Sequence, residues 1–143
     1  MTFDKRTSAG YLANHMARLF AQGLQARIKP LGLTTGTFPA LLELWEEDGL
    51  TQKELVERLD IEQATMANTL RRMERDGLVR RSPHPADRRA QQVWLTPRAR
   101  SLRDDALAAA TAQNEVALAG LAAHERRHFI QLMTRTIAAM RAE

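Results

Sequence analysis

Residues 51–77, TQKELVERLDIEQATMANTLRRMERDG, hold two amphipathic runs separated by a few residues, and their reading decides the fold. Thr51 and Glu54 stand three apart, the spacing at which a threonine hydroxyl and a glutamate carboxylate satisfy free amides at a helix start. The pair predicts a short helix over 52–59. Asp60 is expected to cap a second helix over 62–76, which Gly77 closes in a left-handed conformation. Two short helices joined by a tight turn make a helix-turn-helix candidate. On the second, Met66, Leu70 and Met73 set the buried direction at about 100° per residue. The opposite strip is Ala64, Asn68, Arg71 and Arg75, flanked by Thr65 and Arg72. It is polar near the helix start and basic near its end.

Downstream, residues 78–81 and 91–95 are β-tolerant and bracket a polar loop from Ser82 to Ala90, which reads as a β-hairpin. Thr96 is a helix cap and Pro97 sits at a first helical position, where a missing N–H costs nothing. An Ala-rich helix to about residue 119 follows, then a last helix with Phe129, Ile130, Met133, Ile137 and Met140 on one stripe. Upstream, Leu12, Met16, Leu19, Phe20 and Leu24 predict a helix over 9–29, closed by Pro30 and Gly32. A second helix carries Phe38, Leu41, Leu42 and Trp45 at i, i+3, i+4 and i+7, and Asp48-Gly49 stops it. The order is four helices, a hairpin and two helices, which is mainly α and fits a winged helix-turn-helix. Residues 36–96 form the module, and 1–35 and 97–143 supply flanking helices. Their apolar stripes exceed what so small a module can bury, so a second copy of the chain is the expected partner, as a homodimer.

Charge is concentrated in one place. From Arg71 to Arg89 there are seven arginines against three acids, which equals the whole net charge of +4. Clustered arginine suggests a polyanion partner, and a solvated basic face is the plain alternative. The strip on 62–76 suits the major groove of double-stranded DNA, with Thr65 and Asn68 towards base edges and the arginines towards phosphates. The hairpin tip, Pro83 to Arg89, projects Arg88 and Arg89, whose guanidinium groups suit a narrow, negative minor groove. Asp87 reads as an orienting partner of Arg89, or else as a simple turn residue.

Other classes lack their parts. The chain of 143 residues has no cysteine, which excludes disulfides, thiolate metal sites and thiol redox sensing. No apolar run approaches the roughly 20 residues of a membrane span, and no signal peptide begins the chain, so a cytosolic location is expected. His124 and His128 stand one turn apart without a supporting carboxylate pattern, so no metal site is expected. No phosphate-binding glycine loop, no activated nucleophile and no apolar carboxylate pair suggests an enzyme or calls for a cofactor. The rival is a winged helix used for protein contact, or for sequence-blind DNA compaction.

The runs GTFPALLELW (36–45), LTQKEL (50–55), ATMANTLRRM (64–73) and DGLV (76–79), with Asp87-Arg88-Arg89 and Leu95-Thr96, resemble the MarR (multiple antibiotic resistance regulator) family. The resemblance spans nearly the whole chain, and the D-x-R tip before a Leu-Thr strand end is its most specific part. It implies a triangular homodimer with intertwined terminal helices, each module placing its fourth helix in successive major grooves of a pseudo-palindrome. It further implies base contacts from Thr65 and Asn68, phosphate contacts from Arg71, Arg72 and Arg75, and a minor-groove Arg89 steered by Asp87. Members commonly repress genes and often bind a small aromatic or carboxylated effector. His15, Arg18, Phe38 and Trp45 are the candidate lining, although Phe38 and Trp45 also fit the core and His15 fits an interface. Asn68 stands where the family often has arginine, and Ala99 where it often has glycine.

Overall fold

The computed structural model describes residues 2–143. A long helix α1 (Ala9–Ile28) is followed by α2 (Phe38–Glu46), a two-residue strand β1 (Leu50–Thr51), α3 (Gln52–Leu59) and α4 (Gln63–Arg75). Strands β2 (Val79–Pro83) and β3 (Gln91–Leu95) then form a hairpin, and α5 (Pro97–Ala117) and α6 (Ala123–Arg141) close the chain. The three strands lie antiparallel in the order β1-β3-β2, with Leu50 opposite Val93 and Val79 opposite Leu95. This is the winged helix-turn-helix expected from the pattern, with β1 as an addition. At two residues that strand is too short for periodicity to reveal it.

The start of α3 is built as read. Thr51 Oγ1 accepts from the Glu54 N–H at 3.1 Å, and Glu54 Oε1 accepts from the Thr51 N–H at 3.0 Å. The helix-turn-helix corner differs. Asp60 ends α3 rather than starting α4: it adopts the left-handed conformation (φ 54°) and its N–H donates to Val56 O. Glu62 occupies the N-cap of α4 without a side-chain bond. The sharp turn needs one left-handed residue, and aspartate tolerates that conformation better than the apolar Leu59 or Ile61 beside it. Gly77 closes α4 as expected (φ 71°), with the Leu78 N–H donating to Met73 O. Strand β2 runs two residues beyond the expected 78–81 reading and includes Pro83. It lies at the sheet edge, where a residue lacking N–H breaks no ladder bond.

The core is formed by Leu41, Leu44, Leu50, Leu55, Met66, Leu70, Met73 and Val93, all at most 1% exposed. It extends past the 36–96 module, taking in Ile28 from α1 and Ala99 and Ala106 from α5. Trp45 joins it edge-on to Phe38, and its indole N–H donates to Ala99 O at 3.0 Å, tying α2 to α5. Helix α6 has no buried residue. Its C-terminus is held by Arg141, whose guanidinium donates to Glu57 O at 2.8 Å and pairs with Asp60 at 3.1 Å. Among the described residues no helix is long and apolar enough to cross a membrane.

Candidate nucleic-acid interface

Helix α4 buries Met66, Thr69, Leu70 and Met73 and exposes Ala64, Thr65, Asn68, Arg71, Arg72 and Arg75. The exposed strip is the one the heptad spacing indicates, since a helix that packs one face on a core must offer the other to its surroundings. Thr65, Asn68, Arg71, Arg72 and Arg75 border one shallow depression. Within it the side chains are not independent. Arg71 donates to Asn68 Oδ1, so Asn68 offers its free amide N–H groups outward. Arg75 pairs at 3.2 Å with Asp76, the residue that caps the helix, and Arg72 reaches Thr69 Oγ1 at 3.5 Å.

The hairpin loop is held by its own polar atoms. The His84 N–H donates to Ala90 O at 2.9 Å, and His84 Nδ1 accepts from the Ala86 N–H at 3.0 Å. Asp87 Oδ1 accepts from the Arg89 N–H at 3.0 Å and lies 3.4 Å from Arg89 Nε. The Arg89 side chain is nevertheless 95% exposed, a cation projecting from a fixed base. Arg88 is likewise exposed. At the root of the hairpin Arg81 pairs with Glu74 at 3.0 Å, which fastens the wing to α4.

Between the wing and the helix starts lies a second concavity, bordered by Gln52, Lys53, Gln63, Arg81, Asp87 and Arg89. Gln52 and Gln63 bridge α3 to α4 by a 3.1 Å side-chain bond. The sequence reading missed Gln52, Lys53 and Gln63. Their position at helix starts is visible in the sequence, but their neighbourhood with Arg89 exists only once the hairpin folds back.

A further cavity of about 380 Å³ separates α1, α2 and α5, lined by Phe20, Leu24, Phe38, Leu42, Ala110 and Gln113 among others. Of the four residues considered as an effector lining, Phe38 borders it. Trp45 lies behind Phe38 on its bond to Ala99, and His15 and Arg18 are exposed on other faces of α1.

Residues 33–90 match the model of the MarR family. Transcriptional regulator HosA from Escherichia coli O111:H- is 34% identical over 101 residues, covering 71% of this chain and 75% of that protein. HTH-type transcriptional repressor Rv2887 of Mycobacterium tuberculosis is 31% identical over 124 residues, 87% of this chain and 89% of its own length. The chain belongs to the MarR family. Its fold agrees with that of a solved member of this group of structures: BpsR of Bordetella bronchiseptica, whose DNA binding is regulated by 6-hydroxynicotinic acid, superposes with a TM-score of 0.86 at 25% identity, over 95% of this chain and 97% of that one. The protein is thus a MarR-family transcriptional regulator.

Proposed function

We propose that this MarR-family regulator is a ligand-responsive repressor that binds a pseudo-palindromic operator in double-stranded DNA as a cytoplasmic homodimer. The observation that carries the reading is the placement of the exposed Arg89 across one concavity from Gln63 at the start of α4. A helix lying in the major groove would thereby aim the wing at the flanking minor groove. Thr65 and Asn68 meet base edges, Ala64 gives close approach or a contact with a thymine methyl, and Arg71, Arg72 and Arg75 meet phosphates. Arg89 enters the minor groove, supported by Asp87, with Arg88 on the adjoining phosphate.

The dimer follows from what one chain leaves uncovered. Leu19, Val116, Ile130, Ile137 and Met140 are between 50% and 64% exposed on α1, α5 and α6. So many large apolar side chains on neighbouring helices need a partner surface, and a second copy of the same helices provides it. The apolar cavity beside the DNA-binding module suits a small effector with an aromatic ring, a feature shared by the molecule that regulates BpsR.

Selection of genomic fragments by the purified protein, followed by titration, tests the function. A selected operator should bind about 10³-fold or more tightly than random duplex. Equal affinity for both would overturn the reading in favour of sequence-blind compaction. On operators differing only in their flanks, Arg89→Ala should lose affinity by about 1–3 kcal/mol together with any preference for A·T-rich flanks. Arg89→Lys should restore part of it, because a hydrated ammonium fits a narrow groove less well.

A further inference from the structure

The cavity between α1, α2 and α5 has polar groups at Thr35, Gln113 and Asn114, and none of its lining residues is charged. Gln113 stands out because its side chain lies inside the protein, at 8% exposure. It rests against the backbone of Gly23, where any Cβ would run into the amide. Arg27 Nη1 donates to Gln113 Oε1 at 3.0 Å and to Gly23 O at 3.3 Å. That contact fixes the amide's sense, since turning it over would set a donor against the guanidinium. Gln113 Nε2 is left with no hydrogen-bond partner among the described residues, and the cation behind the amide polarises it into a stronger donor.

We propose that Gln113 is the specificity-determining donor of this cavity, which takes an uncharged aromatic molecule carrying an oxygen acceptor, such as an aryl ketone, in preference to the matching carboxylate. The proposal rests on reading the cavity as the effector site. A ring of this size fits between Phe20, Leu24, Phe38 and Leu42, and its carbonyl meets the free Nε2–H. A carboxylate there would lose its water without a facing cation, because Arg27 stands behind the Gln113 amide and does not itself border the cavity. His15 lies roughly 140° around α1 from Phe20, and neither it nor Arg18 borders the cavity.

The test uses the full chain and three near-isosteric probes: acetophenone, benzoate and ethylbenzene, measured by calorimetry, by thermal melting and by operator release. Acetophenone should bind about tenfold more tightly than either of the others. Gln113→Leu and Gln113→Glu should each weaken acetophenone about tenfold, while Gln113→Leu still binds ethylbenzene, which reports an intact cavity. Acetophenone binding unmoved by both variants, or no tighter than ethylbenzene in the native protein, would overturn the role of Gln113. Tighter binding of benzoate, lost in Arg18→Ala or His15→Ala, would overturn the uncharged ligand and leave the effector site standing. Binding of none of the three at millimolar concentration would overturn both.

Discussion

Asn68 and Arg71 look like separate contacts in a linear sequence, one for a base and one for a phosphate. In the folded helix they are one turn apart and bonded through Asn68 Oδ1, so each fixes the other's geometry. Removing Arg71 should therefore change which base Asn68 prefers, in addition to weakening every duplex. The double variant Asn68→Ala/Arg71→Ala is expected to deviate from additivity by about 0.5–3 kcal/mol. Asn68→Ala/Arg75→Ala should be additive within about 0.5 kcal/mol, because Arg75 is held by Asp76 instead. Titrations of a selected operator against its single-base variants measure both quantities, and additivity in the first pair would show the bond to be incidental. Contact between Asp87 and Arg89 was by contrast legible beforehand, although both readings of Asp87 remain served: its bond to the Arg89 N–H is the one a turn residue makes, and its 3.4 Å approach to Arg89 Nε the one an orienting partner makes. Residues two apart on a tight turn have little choice but to meet, and the structure has them bonded through the Arg89 N–H.

Whole elements were legible where local chemistry sets their ends. The capping box fixes α3 at Gln52, Thr96 and Pro97 fix α5, and Gly77 ends α4. The cap also makes α3 sensitive to acid. Hydrogen bonding from the Thr51 N–H holds the Glu54 carboxyl below the usual glutamate range, against a smaller opposing effect of burial. A depressed carboxyl stabilises the fold fully above its unfolded value, and that contribution is lost as pH falls through the folded value. Wild-type protein should therefore melt above Glu54→Gln at pH 7, and the gap should close below about pH 4. A gap independent of pH would mean that the charge plays no part in the cap. Asp60 was misread because aspartate serves equally as an N-cap or as a left-handed C-cap, and the path of the chain through the corner chooses between them.

At the scale of the molecule, α6 contributes nothing to the buried core, yet its stripe of Ile130, Ile137 and Met140 is at least half exposed. Removing residues 121–143 should consequently leave the module folded while abolishing the dimer, as judged by circular dichroism and sedimentation. Operator affinity should fall by about 10²-fold or more as two half-sites cease to be bound together. A truncated chain that still sediments at twice its own mass would place the interface elsewhere. The sequence by itself determined the order of elements, the buried face of each helix and the basic segment, because periodicity, caps and charge are local properties of the chain. Only the tertiary structure decided which distant groups meet. Lys53 and Gln63 flank Arg89 because the hairpin folds back over the helix starts. Gln113 meets Arg27 across 86 residues of chain because α5 packs along α1. Such neighbourhoods depend on where whole helices come to rest, and no spacing within a single segment encodes that.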